Sequence, residues 1–409
     1  PGIKVTSKPA ADGGATFEIK SYVTNPDGNF TVQYSIEDPY GFEVASATRP
    51  ADNTAVTLYV PDAELWSMDE PNLYTVIARL QRCNESYDDL CVNVGVRSYT
   101  VTPDGGFSIN GVPTPLRGVS RHQDRKGAGN ALTNEMMEED ISIILEMGAN
   151  TIRLAHYQHA QYFYDLCDEK GLVIWAEIPY ITMHMPNGRA NTLTQMEELI
   201  VQNYNHPCIA VWGLSNEITA ASAVNEDLLE NHRLLNELAH KLDPTRKTTM
   251  ANVFMLETTS PILEIPDVNS YNLYFGWYLG ELDQNDDFFD TYHAKYPDRC
   301  IGFSEYGADA NPAYQSAHPE KGDYTKTYQC VYHEHMAKMI ADRPWLGGIR
   351  LILPPMAVMR AASTARTRRD LSPLTAKSRR TPSTCTRPTG ASSPLYIPAA
   401  AAMWTARRM

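Results

Sequence analysis

Two short segments, Trp212-Gly213-Leu214-Ser215-Asn216-Glu217 and Phe303-Ser304-Glu305-Tyr306-Gly307, each carry an apolar, strand-like run into a polar knot holding one glutamate. The C-terminal tip of a buried parallel strand is where a (β/α)8 barrel presents its catalytic groups. Two carboxylates on different strand tips suit the hydrolysis of a glycosidic bond. The glycosidic oxygen is a poor leaving group, so one carboxylic acid must protonate it while a second carboxylate attacks the anomeric carbon. A lone strand-end glutamate reads better as a helix N-cap. A pair, one preceded by Asn216 and the other followed by Tyr306-Gly307, favours chemistry.

Such carboxylates need a frame, and the periodicity supplies one. From about residue 110, apolar runs alternate with helix-length amphipathic segments, the pattern of βα units. The expected strands are Leu116–Val119, Thr151–Leu154, Leu172–Ile178, Ile209–Leu214, Thr248–Asn252, Val268–Leu273 and Cys300–Ser304. Between the first two, Asn134–Met147 reads as a helix with Ile141, Ile144 and Leu145 on one face and Gly148 as its cap. Tyr162–Lys170 ends at Gly171 in the same way, and Leu228–Leu242 stops before Pro244. These make seven βα units within a barrel domain over 99–346. Residues 1–98 read instead as an immunoglobulin-like β-sandwich. Alternating runs (Ala15–Val23, Phe30–Ile36 and a strand after Pro71) are separated there by turn signals such as Asn25-Pro26-Asp27-Gly28. The expected architecture is thus a β-sandwich followed by a (β/α)8 barrel whose eighth strand is lost.

That loss is inferred from residues 347–409. They hold ten arginines and Lys377 against one acid, Asp370, so this piece carries +10 and the preceding residues −24 of the total −14. Neither a 2.0 nor a 3.6 period survives in it. A polyanion-binding tail is one reading; translation of a wrong frame in a GC-rich gene is the one preferred, because the break falls where the fold still needs a strand. The segment is therefore expected to be a disordered basic tail, open to proteolysis, with Leu351-Ile352-Leu353 as a makeshift strand before Pro354-Pro355. The acidic balance argues against nucleic acid or an anionic membrane as partner and suits a small neutral ligand. The chain opens at Pro1 without methionine or leader, which reads as a fragment and leaves the compartment (cytoplasmic or periplasmic) unassigned. Of seven cysteines, Cys167, Cys208 and Cys300 read as small buried hydrophobes. A Cys83–Cys91 bridge across a hairpin is the less favoured reading of that pair.

The ordered motifs resemble glycoside hydrolase family 2, and within it the bacterial β-galactosidases. They are Leu65-Trp66 with Pro71-Asn72-Leu73-Tyr74, Asn110-Gly111, Arg117-Gly118-Val119-Ser120-Arg121-His122, Asn150 to Tyr157, Asp165-Leu166-Cys167-Asp168, Asn205-His206-Pro207, Asn216-Glu217 and Ser304-Glu305-Tyr306-Gly307. The resemblance covers residues from about 15 to 345. It implies a retaining mechanism with Glu217 as acid/base and Glu305 as nucleophile, their carboxylates roughly 5 Å apart. It further implies that Asn216 bonds the sugar 2-hydroxyl, that Tyr274 holds Glu305 ionised and aimed, and that His122 and His156 contact sugar hydroxyls. Arg153 reads either as a buttress of a glutamate or as a structural ion pair, Trp277 as a sugar platform and Trp175 as core. The family's Mg²⁺ ligands are not matched in Glu177-Ile178-Pro179-Tyr180-Ile181-Thr182-Met183-His184, so no metal site is assigned, although Glu177 and His184 are of ligand type. A histidine that some β-galactosidases carry three residues after the nucleophile is Ala308 here. The implied substrate is a β-galactoside, and an oligomer is compatible with the reading. The alternatives are a β-glucuronidase, which would read a sugar carboxylate downstream of the nucleophile in the region the tail replaces, and an inactive carbohydrate-binding relic.

Overall fold

The structure, a computed structural model, describes residues 2–24, 28–83 and 85–346, together with the backbone of Leu351 and Ile352. The other residues of the basic segment, and with them the expectations of a frame change and of disorder, lie outside the described residues.

Two antiparallel sheets come first. Strands Gly2–Pro9, Ala15–Tyr22 and Val56–Val60 form one; Glu43–Pro50, Thr31–Glu37, Tyr74–Arg82 and Glu85–Val94 form the other, each in that spatial order. Alternation explains the packing. Ala15, Phe17, Ile19 and Ser21 point inward, and Val32, Tyr34 and Ile36 meet them from the second sheet. Cys91 sits opposite Ile77 in the register while Cys83 occupies the turn with φ 51°, so the two do not face each other and both are free.

A small meander (Tyr99–Thr102, Gly106–Ile109, Val112–Pro113) leads into a curled parallel sheet. Its strands are β1 Gly118–Arg121, β2 Thr151–Leu154, β3 Val173–Glu177, β4 Ile209–Asn216, β5 Lys247–Val253, β6 Val268–Asn272 and β7 Cys300–Glu305. Each pairs in parallel with its sequence neighbour. The place of an eighth strand is taken by two residues: β8, Leu351–Ile352, pairs in parallel with Gly118–Val119 of β1. The sheet order runs from β7 through β1 to β8, and β7 and β8 form its two ends. Among the described residues six α-helices cover the outside: α1 Asn134–Glu146, α2 Gln161–Lys170, α3 Arg189–Asn203, α4 Glu226–Leu242, α5 Gln284–Lys295 and α6 Lys326–Ala341.

Three expectations are corrected. The first strand begins at Gly118 rather than Leu116, because Leu116 is buried against Phe107 and Ile109 of the meander instead of joining the ladder. On α1 the buried stripe is Met137, Ile141 and Ile144; Leu145, one residue and about 100° further round, is exposed. Cys300, at the start of β7, is only partly buried.

The sandwich is keyed to the barrel through Trp66. Its indole is fully buried in the barrel's apolar cluster, and its N–H donates to the Asp168 carbonyl at 2.9 Å. Close approach continues beside it. Gly171, at φ 65° after α2, lies against the Met68 backbone, where a Cβ would collide with the carbonyl oxygen. Lys4 donates to the Leu242 carbonyl at 2.7 Å, and Arg97 to that of Pro207 at 3.1 Å. Replacing Trp66 by Ala therefore removes a buried bicyclic ring and one hydrogen bond. The expected loss is about 3–5 kcal/mol of unfolding free energy, read by chemical denaturation, with Trp66→Phe losing less. A Trp66→Ala chain as stable as the parent would show that the interface does not depend on this residue.

Candidate active site

Glu217 follows β4 directly. Its backbone adopts the left-handed region (φ 47°), and its N–H is caught by the Ala251 carbonyl of β5 at 2.8 Å. The turn directs the chain out of the strand immediately after Asn216. Asn272, the last residue of β6, donates its side-chain N–H to Glu217 Oε1 at 3.0 Å and to Asn216 Oδ1 at 3.2 Å, and accepts from Ser304 Oγ at 2.6 Å. Burial, then the charge of Glu305, raise the Glu217 carboxyl above the ordinary glutamate range; the Asn272 hydrogen bond opposes them and does not cancel them.

Glu305 ends β7 and is gripped from two sides. Arg153 Nη1 donates to Oε1 at 2.7 Å, and the Tyr274 hydroxyl donates to Oε2 at 2.7 Å. Burial, then the neighbouring Glu305 charge, push the Tyr274 hydroxyl well above the usual tyrosine range, so it remains a donor.

Arg153, on β2, is completely buried and is the hub of the site. Nε and Nη2 form a fork onto Glu177 of β3 at 2.9 and 3.0 Å, and Nη2 also donates to Asn216 Oδ1 at 2.8 Å. The guanidinium lies over the Trp175 ring at 4.8 Å. Burial alone would lower its pKa, but Glu177 and Glu305 outweigh that and raise it. The Glu177 carboxyl likewise goes down against its burial, drawn by Arg153 and His156. Gly213 of β4 makes room for this layer, since a Cβ there would collide with the Trp175 indole nitrogen and the Glu177 side chain.

His156 Nδ1 lies 2.7 Å from Glu177 Oε1 and 3.2 Å from Arg153 Nη2, and its Nε2 is 3.7 Å from Glu305 Oε1. The Ala155–His156 peptide bond is cis. His122, just past β1, meets His156 ring edge to face at 5.2 Å; burial, then that neighbour, lower its pKa. All six side chains singled out from sequence (Glu217, Glu305, Asn216, Tyr274, His122 and His156) are joined by one set of hydrogen bonds and ring contacts. With Oδ1 of Asn216 taken by two donors, its N–H2 group remains as the donor for a ligand.

The sequence reading did not assign roles in this network to Glu177, Asn272 or Ser304. The signal was present, for each lies at or one residue from the end of a buried parallel strand, as the two glutamates do. Trp277 is not an open platform: it is buried against the rings of Tyr324 and Tyr328 at 5.0 and 5.9 Å. The implied Mg²⁺ does not fit the residues present. Both Glu177 oxygens face the Arg153 cation, and His184 is held by Tyr180 at 2.5 Å and Asp227 at 2.8 Å. Among the described residues Asp165, Asp168 and His206 have ligand-type atoms within 4.8 Å of one another, but Asp168 already accepts from His206 and from the Cys208 N–H.

The profile of the "Glycosyl hydrolases family 2, TIM barrel domain" matches residues 100–343, and that of "Glycosyl hydrolases family 2" matches residues 2–97. The chain belongs to glycoside hydrolase family 2. It is 38% identical over 306 residues to a β-glucuronidase of Bacteroides fragilis, covering 71% of this chain and 43% of that protein. A crystal structure of an FMN-binding β-glucuronidase from F. prausnitzii L2-6 superposes with a TM-score of 0.84 at 59% identity, covering 87% of this chain and 55% of that one. A crystal structure of a putative β-galactosidase from B. fragilis gives 0.80 at 33% identity, with the same two coverages of 87% and 55%. The chain therefore spans about half the length of these relatives. No described helix is long and apolar enough to cross a membrane.

The electrostatics can be checked without turnover. Glu305→Gln removes a negative neighbour and leaves Arg153 partly unpaired, so the Glu217 carboxyl pKa should fall. Asn272→Ala removes a donor that favours the ionised form, so it should rise. Carbon-detected NMR titration of the labelled carboxyl reads both, and shifts of the opposite sign would overturn the description.

Proposed function

We propose that the chain carries the catalytic centre of a retaining β-glycosidase acting on terminal sugar residues. The single observation behind this reading is the unequal pair of glutamates. One is gripped by a buried guanidinium and a tyrosine hydroxyl; the other is raised by burial and by the first one's charge. A carboxyl raised above the ordinary glutamate range suits a general acid, and an aimed, charge-paired carboxylate suits a nucleophile. In the first step Glu305 would attack the anomeric carbon and form a glycosyl ester while Glu217 gives its proton to the leaving oxygen. In the second, Glu217 would take a proton from water as that water displaces Glu305. The Asn216 amide would meet the 2-hydroxyl, a contact that strengthens at the transition state, and His122 and His156 would meet neighbouring hydroxyls. Tyr274 and Arg153 would hold Glu305 through both displacements.

For the sugar, the sequence reading favoured a β-galactoside. The 59% and 38% identities to proteins named β-glucuronidase favour a β-glucuronide, and we adopt that reading. The β-galactoside stays as the second reading on the strength of the structure titled putative β-galactosidase. The Asn-x-Lys pair by which a β-glucuronidase of this family would read the sugar carboxylate belongs to the region that the tail replaces, and residues 347–409 contain no asparagine. Hydrolysis of nitrophenyl β-D-glucuronide against nitrophenyl β-D-galactoside decides between them: the glucuronide should be cleaved faster, and a galactoside preference would reverse the assignment.

The roles are tested separately from the sugar. Glu305→Gln should abolish covalent labelling by a 2-deoxy-2-fluoro glycoside bearing a dinitrophenyl leaving group, seen as a mass increase on the peptide holding residue 305. Glu217→Gln should still label, because an activated phenolate needs little protonation, yet should lose roughly 10²–10⁴-fold on an unactivated alkyl glycoside. Equal loss of labelling in both variants would undo the assignment.

A further inference from the structure

The loop after β2 holds two histidines in the run Ala155-His156-Tyr157-Gln158-His159-Ala160, and the fold gives them different partners. His156 meets Glu177 and lies 3.7 Å from Glu305 Oε1. His159 meets neither. It is 4% exposed, with the rings of Tyr157 and Phe163 at 5.2 and 6.2 Å. A buried histidine that only filled space would need no partner for its nitrogens, yet both nitrogens of this one are engaged.

Arg121 Nη1 lies 3.0 Å from His159 Nδ1, and His159 Nε2 lies 3.3 Å from the Ala155 carbonyl oxygen. A guanidinium can only donate and a carbonyl can only accept. His159 Nδ1 is therefore the acceptor, and Nε2 carries the ring proton. Burial, then the Arg121 charge, push the His159 pKa well below the usual histidine range, so the ring is neutral. Arg121 is itself anchored. It ends β1, is fully buried, and donates through Nε and Nη2 to Asp140 Oδ2 of α1 at 3.0 and 2.8 Å. Its guanidinium also lies 3.9 Å from the centroid of the Phe163 ring of α2.

This chain of contacts ends on the backbone just before His156. The Ala155 N–H donates to the Arg121 carbonyl at 3.0 Å, while the Ala155 carbonyl accepts from His159. Both backbone polar groups of Ala155 are thus held by Arg121, one directly and one through His159. Two more bonds join the same loops: the Gln123 N–H donates to the Tyr157 hydroxyl at 3.1 Å, and the Ala160 N–H donates to Gln123 Oε1 at 2.6 Å. His122 and His156, in ring contact at 5.2 Å, therefore stand on two loops that are bonded to each other. Small displacements of such groups matter, since about 1 Å of misplacement can cost about a hundredfold in rate.

We propose that Arg121 and His159 form a relay that positions His156 against Glu305 and the sugar, with His159 acting as a neutral Nε2–H donor to the Ala155 carbonyl. The inference rests on the glycosidase reading, in which His156 meets a sugar hydroxyl, and adds to it two positioning residues that touch neither sugar nor glutamate.

The test uses the whole chain labelled with ¹⁵N-histidine. In the parent, long-range ¹H–¹⁵N spectra should show His159 protonated at Nε2 and bare at Nδ1; a protonated Nδ1 would overturn the relay. His159→Phe keeps a ring and loses both nitrogens, so it should shift the ring resonances of His156 and His122 and leave those of His335 in place. Labelling of Glu305 by 2-deoxy-2-fluoro glycosyl fluorides, in the glucuronic acid and galactose series, reads the consequence. In the series that labels, the maximal labelling rate should fall at least about tenfold in His159→Phe, with the half-saturating concentration little changed. His159→Gln, whose amide can accept from Arg121 and donate to the Ala155 carbonyl, should recover most of that rate. Val76→Ala, in the core of the sandwich, lowers stability without touching the relay and should leave both the spectra and the labelling as in the parent. Unmoved His156 resonances, an unchanged maximal rate in His159→Phe, or equal losses in the phenylalanine and glutamine variants would overturn the inference and leave the glycosidase reading intact. Absence of Glu305 labelling in the parent overturns both. If His159→Phe does not fold, the parent spectrum and the glutamine variant decide: a bare Nδ1 with near-parental labelling in His159→Gln upholds the relay, and either result reversed removes it.

Discussion

One buried cation organises the site. Arg153 is closed off from solvent and hydrogen-bonds two buried carboxylates, those of Glu177 and Glu305, as well as the Asn216 amide. Removing an isolated guanidinium from water is expensive, and the cost is met only when its donors are all matched. The fork onto Glu177 fixes the plane of the guanidinium, and that plane fixes where Glu305 can sit. The Trp175 ring and the bare Cα of Gly213 complete the support. A loss on any side would leave a buried charge unpaired, so the position of the Glu305 carboxylate is over-determined.

The same arrangement makes the two glutamates at the mouth unequal. Glu305 is hydrogen-bonded directly to Arg153. Among the described residues Glu217 receives the Asn272 amide, which is shared with Asn216, and burial and the charge of Glu305 raise it against the weaker lowering charges of Arg153 and His156. One buried cation can therefore set the two carboxyls apart. The Glu217 backbone in the left-handed region adds to this by turning the chain straight out of β4 into a loop. The loops after β3 and β5 then attach to the same strand end.

The sandwich contributes from a distance. Trp66 enters the barrel's apolar cluster and bonds the Asp168 carbonyl, while Asp168 accepts from His206 and from the Cys208 N–H at the start of β4. The strand that ends at Asn216-Glu217 thus begins beside the residues that dock the sandwich. The interface and the site lie at opposite ends of one strand.

Sequence alone determined the strand tips. A parallel strand buried on both faces must be a continuous apolar run, so the point where that run meets a polar residue is visible without coordinates. That made Glu217 and Glu305 legible as strand-tip carboxylates and the alternation of Ala15–Tyr22 and Thr31–Glu37 legible as sandwich strands, while Asn216, His122, His156 and Tyr274 joined the group through the family resemblance. Boundaries were less legible where packing competes with the ladder, as at Leu116, and faces less so where one helical step decides exposure, as at Leu145. The partnerships were not legible at all. Arg153 and Glu305 are 152 positions apart, Asn216 and Asn272 are 56 apart, and Glu177 read as a free carboxylate fit for a metal until the fold set a guanidinium against both its oxygens. Hydrogen bonds of this kind depend on ångström distances that arise only when the sheet curls and brings the strand ends around a common axis. The residue types state what chemistry is available; the curvature of the sheet decides which carboxylate meets the guanidinium.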